Sequence, residues 1–352
     1  MLLLLAACGG GAQTAAPSSP SASQPAVPAS AAGASKPSVP AAASASVAAK
    51  PAGSGTGSTK VRIAYVGPFD NMAVMWVAND DGLFKKYGLD ADLSLIQGSP
   101  IASAALVSKS VDLVEMSGPA VVNAVAQNTD EVMIAGFENV FIFTLMVEPS
   151  IKSIADLKGK TAAVTLVGAE DDAVLRKVLL DNKLEPDVDV HITAARDPAG
   201  QIAAFSSKQA DAVMTAGANI ANLKKAGAVP LIDIGKLRIP FQSAGLVTTR
   251  AYLASHRPEA LDAVKASVDA IRSIKSDKAG TQAIMSKYMK TTDQDVLNAS
   301  WDADNAFMED VPLPTLEGFQ EIMNERKVTG HKPEDFVDLS LVKDLQQQGF
   351  FN

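Results

Sequence analysis

Residue types that carry out covalent chemistry are sparse in this chain of 352 residues. Cys8 is the only cysteine, so a disulfide within the chain is impossible. The three histidines are too far apart in sequence for the spacing of a zinc site: His191, His256 and His331. Neither a Gly-rich phosphate loop nor a nucleophile elbow occurs in the sequence. We therefore expect a protein that is not an enzyme and that carries no cofactor and no metal.

Residues suited to noncovalent binding are concentrated in short loops that follow predicted strands. In open α/β sheets, ligands bind beyond the carboxyl ends of the strands, where helix N-termini point outward. These loops are 67–71, 97–100, 117–119, 167–171, 196–197 and 215–218. They contribute the candidate ligand-binding residues Phe69, Asp70, Asn71, Glu170, Arg196 and Gly217. Phe69 and Phe141 are candidates for stacking on a flat ligand, whereas Trp76 lies in an apolar helical stripe and is expected in the core.

The predicted loops contain more acidic than basic residues. Arg196 is the main candidate cation, and it is outnumbered by Asp70, Glu115, Glu170, Asp171 and Asp172. Nearby carboxylates would repel an anion but not a cationic or neutral heterocyclic ligand. Residues 170–172 could instead complement the dipole of their own helix, and adjacent carboxylates on a helix do not face each other. The charge of the ligand therefore stays open at this point.

The loops are positioned by an alternation of strands and helices. Apolar strand patterns over 60–66, 91–95, 111–116, 132–135 and 161–164 alternate with segments of helical periodicity, of which the first runs from Met72 to Tyr87. Such an alternation predicts a mostly parallel sheet with right-handed crossovers. From Ala251 onward nearly the whole chain has helical periodicity, and we expect this region to pack on the first lobe.

One stretch of sequence recurs at a constant offset, which predicts two homologous lobes. Seven residues of the first copy are Ala105, Ser108, Lys109, Asp112, Val114, Gly118 and Asn123. Their counterparts are Ala204, Ser207, Lys208, Asp211, Val213, Gly217 and Asn222. Each copy spells helix, turn, buried strand, glycine and helix, and the spacing is kept without a gap. We expect lobe one at 60–148, lobe two at 149–244 and a return to lobe one at 245–352, with crossings near Val147 and Gly245.

The N-terminal part predicts an anchored and tethered protein. Residues 1–8 end in Leu5-Ala6-Ala7-Cys8, which resembles a bacterial lipobox behind a shortened signal peptide, with Cys8 as the lipidated residue. Residues 9–59 are almost wholly Ala, Ser, Pro and Gly and predict a disordered linker. The net charge of −8 argues against a nucleic-acid partner.

Taken together, several phrases resemble the periplasmic binding proteins of nitrate-, sulfonate-, taurine- and thiamine-precursor-type ABC importers. They are Val77-Ala78, Gly82-Leu83-Phe84, Gly88-Leu89, residues 108–112, residues 150–159 and Gln209-Ala210-Asp211-Ala212. The resemblance covers about 60–270. It implies two doubly wound α/β lobes of the type II binding-protein class joined by a hinge. It also implies ligand contacts at Ser99, Ser117, Gly118, Gly168 and Thr215, although a Ser or Thr there could equally cap a helix.

The resemblance implies a function as an extracytoplasmic solute-binding lipoprotein. It would be a monomer on the periplasmic or extracellular face of a bacterial membrane, capturing a small organic molecule and delivering it to an ABC permease. A ligand-sensing lipoprotein that docks on a membrane receptor is the alternative. A pyrimidine-synthesis enzyme on the same scaffold is a further alternative, but such enzymes need a cysteine-rich segment that this chain lacks.

Overall fold

The computed structural model describes residues 58–351, which contain two five-stranded sheets. Sheet A is formed by β1 (Thr59–Tyr65), β2 (Leu89–Leu95), β3 (Leu113–Met116), β4 (Glu131–Val140) and β10 (Pro240–Thr249). Sheet B is formed by β5 (Thr144–Val147), β6 (Thr161–Val164), β7 (His191–Ala194), β8 (Ala212–Thr215) and β9 (Val229–Asp233). Cys8 and residues 9–57 of the predicted linker lie outside the described residues, and only residues 58–59 of the linker are described.

Thirteen α-helices surround the sheets of the described chain. Those before the C-terminal region are α1 (Ala73–Asp80), α2 (Leu83–Lys86), α3 (Ser99–Val107), α4 (Gly118–Ala126), α5 (Glu170–Asp181), α6 (Pro198–Ser206) and α7 (Ala218–Lys225). The others are α8 (Arg250–Ser255), α9 (Arg257–Ser276), α10 (Lys278–Met289), α11 (Gln294–Phe307), α12 (Leu316–Arg326) and α13 (Ser340–Gln347). No helix within 58–351 is both long and apolar enough to cross a membrane.

The two sheets repeat one topology. Their strand orders are β2-β1-β3-β10-β4 and β7-β6-β8-β5-β9, in which the first three strands are parallel and the fourth is antiparallel to its neighbours. The fourth position of each sheet is filled by the strand that follows a crossing from the other sheet. The expected pair of doubly wound lobes is therefore present, joined by two crossing segments.

The crossings fall earlier in the chain than expected. The strand β5 pairs within sheet B, so the chain leaves lobe one at 141–143 rather than near Val147. The strand β10 begins at Pro240 and pairs with β4, so the chain returns at 234–239 rather than near Gly245. Hydrogen bonds from the Phe141 N–H to the Ile239 carbonyl (3.2 Å) and from the Ile234 N–H to the Phe143 carbonyl (2.8 Å) join the two segments. Together they form the hinge.

The sequence repeat corresponds to one repeated structural unit. In each lobe a lysine with positive φ lies two residues beyond the end of a helix, Lys109 at 59° after α3 and Lys208 at 61° after α6. An aspartate follows and accepts a hydrogen bond from the backbone of the first strand. Asp112 accepts from the Arg62 N–H at 2.8 Å, and Asp211 accepts from the Thr161 N–H at 2.9 Å. Both aspartates thus fix the start of a buried strand against its parallel neighbour.

The predicted first helix is in fact two helices. Gly82 has φ of +68°, a left-handed conformation that favours glycine, and it separates α1 from α2. Residues 73–78 of α1 are all buried because the helix lies between sheet A and the C-terminal helices. Trp76 is fully buried there, as expected, and stacks on Tyr288 of α10.

The C-terminal region packs on lobe one, as expected. Helices α9 and α10 cover α1, α12 covers β10, and α13 contacts β4. Phe319 and Ile322 of α12 are fully buried in this contact region. Helix α11 also packs on α7 of lobe two. The C-terminal region therefore spans the cleft as well as completing lobe one.

Candidate functional site

A cavity of about 250 Å³ lies between the two lobes. Lobe one contributes Phe69, Asp70 and Asn71 from the loop after β1, and the hinge contributes Ile142 and Phe143. The lobe-two residues that line it are Thr165, Ala169, Glu170, Asp171, Pro198, Gln201, Met214, Thr215, Ala216 and Asn219. In lobe two these residues follow the carboxyl ends of β6, β7 and β8, where open α/β sheets bind ligands.

Asp70 connects the lobes at the edge of the cavity. Its Oδ2 accepts a hydrogen bond from the Ala218 N–H at 3.1 Å, at the N-terminus of α7. Gly217 makes this approach possible, since a Cβ at that position would lie 1.9 Å from Asp70 Oδ2. The partial positive charge of the α7 N-terminus is thus complemented by a carboxyl group of the other lobe.

A hydrogen-bond network in lobe two fixes the polar wall of the cavity. Gln201 donates through Nε2 to the Met214 carbonyl (2.9 Å) and to Asp171 Oδ2 (3.1 Å), so its Oε1 must act as an acceptor. Asn219 Nδ2 donates to that Oε1 at 2.9 Å and to Thr215 Oγ1 at 2.8 Å. The Oδ1 of Asn219 therefore remains an acceptor, and it is buried without a hydrogen-bond partner.

Behind the loop after β1 lies a group of buried carboxyls that we call the carboxyl cluster: Asp70, Glu115, Glu138 and Asp304. Burial raises the pKa of Asp70 above its ordinary value, and it raises the pKa of the other three well above theirs. Mutual repulsion adds to the effect at Glu115, Glu138 and Asp304. Within the described residues, no Lys or Arg side chain forms a salt bridge with any of the four. One oxygen of each of Glu115, Glu138 and Asp304 lacks a partner.

Glu170 brings a further carboxyl to the lobe-two side of the cavity. Its Oε1 accepts a hydrogen bond from Ser243 Oγ of β10 at 3.0 Å, which is a second contact between the lobes. Burial is the largest cause that raises the pKa of Glu170 to about 8, and the negative charge of Asp171 adds to it. Burial likewise raises the pKa of Asp171 to about 6.

The structure brings together part of the predicted set of ligand-binding residues. Phe69, Asp70, Asn71, Glu170 and Thr215 all line the cavity, and Gly217 lies against Asp70. Their loops converge because the carboxyl end of β1 in sheet A and those of β6 and β8 in sheet B face one gap.

The other candidates lie elsewhere in the described chain. Phe141 is buried in the hinge and stacks on Phe241 with ring centroids 3.9 Å apart. Arg196 is exposed and lines a separate depression beside α6. Gly118 packs under Gln242 of β10, where a Cβ would lie 2.6 Å from the Gln242 carbonyl oxygen. Three further candidates are outside the lining of the cavity: Ser99, Ser117 and Gly168.

Several cavity residues were not among the candidates. Gln201 and Asn219 lie within the first turns of α6 and α7, just beyond the loops that the sequence analysis considered. Ile142 and Phe143 lie in the first crossing, whose position was expected several residues later. The sequence signal for the helical pair is a polar side chain one turn after a strand-exit loop, since such a residue points along the same edge of the sheet.

A family model described as NMT1/THI5 like matches residues 70–278, which is more than half of the chain. Among curated proteins, a chain of Brucella abortus strain 2308 is 32% identical over 155 residues, which are 43% of this chain and 46% of the relative. A Brucella melitensis protein matches to the same extent. Both are provisionally named binding proteins. The matched segment spans about half the length of these relatives.

Solved structures share the fold. The periplasmic nitrate-binding protein NrtA of Synechocystis PCC 6803 superposes with a TM-score of 0.69 at 14% identity, covering 83% of this chain and 89% of that one. The periplasmic aliphatic sulphonate binding protein SsuA of Escherichia coli gives a TM-score of 0.66 at 21% identity, covering 78% and 89%. At such identities the similarity shows the fold alone.

Proposed function

The chain belongs to the NMT1/THI5-like family, and from that premise we propose that it is the solute-binding component of an ABC importer. The observation that carries the proposal is the cavity, which is lined by strand-exit loops of both lobes and by the hinge. Concave sites at the interface of two lobes are where small molecules bind most often. A small organic molecule there would contact both lobes at once.

Binding would act by shifting an equilibrium between open and closed lobes. A ligand held by residues of both lobes binds the closed form better than the open form, so it populates the closed form. A permease that recognises only the closed form then receives loaded protein. No bond is made or broken, and the differential affinity of the ligand does the work.

The proposal includes a periplasmic or extracellular location with a lipid at Cys8. Nitrate- and sulphonate-binding proteins with the same fold are periplasmic, which supports that location. The Ala-, Ser-, Pro- and Gly-rich segment after Cys8 would let the lobes stand off the membrane surface and reach a permease as a monomer. Metabolic labelling with a radioactive fatty acid, compared between the native chain and Cys8→Ser, checks the lipid.

Arrangement of the histidines supports binding over catalysis. The alternative of pyrimidine synthesis would require a histidine next to the bound molecule. In the described chain His191, His256 and His331 all lie outside the cavity lining. No group of three His, Cys, Asp or Glu side chains within 58–351 is arranged to hold a metal ion.

A thermal-shift screen of the purified full chain against a metabolite library tests the proposal. A ligand that binds only the folded protein raises Tm by mass action, and a concentration 100 times Kd stabilises by about 2.7 kcal/mol. We expect hits that also compact the protein in small-angle scattering. A membrane receptor domain that shifts Tm when no small molecule does would contradict the importer function and favour the sensor.

A further inference from the structure

The cavity and the carboxyls around it point to the chemical class of the ligand. We propose that the ligand carries a protonated amine, or a similar N–H-bearing cation, which the carboxyl groups of Asp70 and Glu170 bind from opposite lobes. This inference rests on the proposed function, namely that the cavity holds a small molecule. Phe69, Ile142 and Phe143 would contact the apolar part of that molecule.

At the helix N-termini of lobe two, backbone N–H groups already donate hydrogen bonds to carboxyl groups of the chain itself. Asp171 Oδ1 accepts from the Asp172 N–H at 3.1 Å in the first turn of α5, and Asp197 accepts from the Gly200 N–H at 2.7 Å in α6. Asp70 occupies the N-terminus of α7. Helix N-termini are the usual places where a protein binds an anion. An anionic ligand at these helix N-termini would meet the negative charge of these aspartates.

The ionisable side chains that line the cavity are acidic. Asp70, Glu170 and Asp171 line the cavity, while no Lys or Arg of the described chain lies in its lining. Arg326 is a cation that acts on Glu170, and its guanidinium donates to the Gly168 carbonyl at 3.3 Å. Glu325 lies beside it and opposes its effect on Glu170. A cationic ligand is attracted to this lining, and an anion is repelled.

The amide oxygen of Asn219 supports the same class of ligand without reference to the carboxyl groups. Asn219 is about 5% exposed, lines the cavity, and has an Oδ1 acceptor without a partner. The network through Gln201 fixes this orientation, and no donor of the described residues reaches the oxygen. An ammonium group offers three N–H donors and no acceptor, and it can therefore contact Asn219 as well as a carboxylate.

The carboxyls retain the capacity to accept further hydrogen bonds. Asp70 Oδ1 accepts from the Asn71 N–H at 3.2 Å and Oδ2 from the Ala218 N–H at 3.1 Å. Glu170 is contacted at Oε1 only. The aromatic rings of Phe69 and Phe143 add faces to which a cation is attracted. The cavity lies below the volume range of drug-sized pockets, so the ligand is small.

The experiment screens the full chain against a library composed of trios with similar apolar parts and a cationic, neutral or anionic head group. One trio is phenethylamine, 2-phenylethanol and phenylacetate, and another is pentylamine, pentanol and butanesulfonate. We expect the compounds that raise Tm to be amines, with their neutral and anionic counterparts inactive. Chloride salts of sodium, calcium and zinc are tested alone, and we expect no shift from them.

Charge-neutralising variants then test the contacts. Asp70→Asn and Glu170→Gln should each weaken binding of the best amine at least tenfold in calorimetry. Asp92→Asn and Glu185→Gln, which remove one exposed carboxylate from each lobe outside the cavity, should leave the affinity within twofold. Should Asp70→Asn fail to fold, Glu170→Gln and the dependence on pH decide the question. The affinity should rise from pH 6 to pH 8, because the cavity carboxyls ionise while the amine stays protonated.

The outcomes separate this inference from the proposed function. Hits among the anionic or neutral members, or a shift caused by an inorganic cation alone, overturn the amine while the binding function stands. The absence of hits in all three charge classes overturns the binding function itself, and the amine with it.

Discussion

At the scale of single residues, Asp70 and Gly217 act as a pair across the cleft. The Asp70 carboxyl reaches the first N–H of α7 only because residue 217 has no side chain. Because the two residues come from different lobes, the contact would break if the lobes separated. It therefore favours closure, with or without a ligand, and its strength helps to set the population of closed protein.

Replacing Gly217 by Ala should disfavour closure. The new Cβ would lie 1.9 Å from Asp70 Oδ2, and the φ of +55° would add backbone strain of about 1 kcal/mol. We expect at least a tenfold loss of ligand affinity in calorimetry. Gly159→Ala is the control, because its φ is also positive (+76°) while no atom lies within 4 Å of the Cβ. Equal affinities of the two variants would show that the steric contact has no role.

Glu170 should make stability depend on pH. Its pKa of about 8 in the folded protein exceeds the ordinary value of 4.5, so the folded state holds a proton that the unfolded state releases. The free energy of unfolding should therefore fall as pH rises between about 5 and 8. Glu170→Gln should remove at least about 1 kcal/mol of this fall, measured by urea unfolding at pH 5.5 and 8.5. Glu185→Gln should retain the full dependence, and a parallel loss in both variants would contradict the assignment.

Residues of the site were predictable from the sequence where they lie directly after a strand. Asp70 and Thr215 belong to this class, because the end of a buried strand is visible as a break in apolar sequence. Asn219 was missed because its importance depends on an oxygen left without a partner, which only the three-dimensional network reveals. Phe141 was assigned to the cleft because the position of the hinge was misjudged, and it packs on Phe241 instead.

At the scale of elements, the two copies of the repeat are fastened with unequal strength. The Asp112 carboxylate accepts hydrogen bonds from Arg62 Nε at 3.0 Å and from Arg62 Nη2 at 2.6 Å, in addition to the backbone contact. Asp211 holds Lys160 only through Nζ, at 3.4 Å. A bidentate arginine contact is stronger than a single lysine contact and has a fixed geometry.

Removal of each aspartate should therefore destabilise the protein to a different extent. We expect Asp112→Ala to lower the free energy of unfolding by about 2 kcal/mol and Asp211→Ala by about 1 kcal/mol, measured by urea unfolding. Asn at either position keeps an acceptor for the strand N–H and should recover part of the loss. A larger loss for Asp211→Ala would contradict the comparison.

The elements themselves were predictable where they are short, buried and local. The strands β3 and β6 were placed within two residues because their apolar runs are bounded by turns. The second half of β4 and the part of β10 before Gly245 were missed. Gly136 and Asn139 weaken the strand pattern of β4. These two segments are extended because they pair with each other, although about a hundred residues separate them in sequence. Propensity cannot report such nonlocal pairing.

At the scale of the whole molecule, α11 of the C-terminal region contacts α7 of lobe two. Lys225 of α7 contacts Asp293 at 2.5 Å and Asp295 at 3.2 Å at the start of α11. All three side chains are at least 40% exposed. An exposed ion pair contributes little to stability but is sensitive to salt.

Lys225→Ala should alter closure more than stability. We expect a change of less than about 1 kcal/mol in urea unfolding. In small-angle scattering without ligand, the variant should have a larger radius of gyration than the wild type at 20 mM salt, and the two should converge at 500 mM. Lys224→Ala removes a neighbouring exposed lysine and should match the wild type at both salt concentrations. Identical scattering of all three proteins at low salt would refute a role for the ion pair.

The hydrogen bond between the Phe141 N–H and the Ile239 carbonyl indicates where one lobe could be exchanged between related proteins. Everything between those two positions is an insert whose ends meet at a single point of the host. An insert of that kind can be exchanged for the equivalent segment of a relative with only two joins. It also offers an attachment point at which a fluorescent reporter would respond to any rotation of one half against the other.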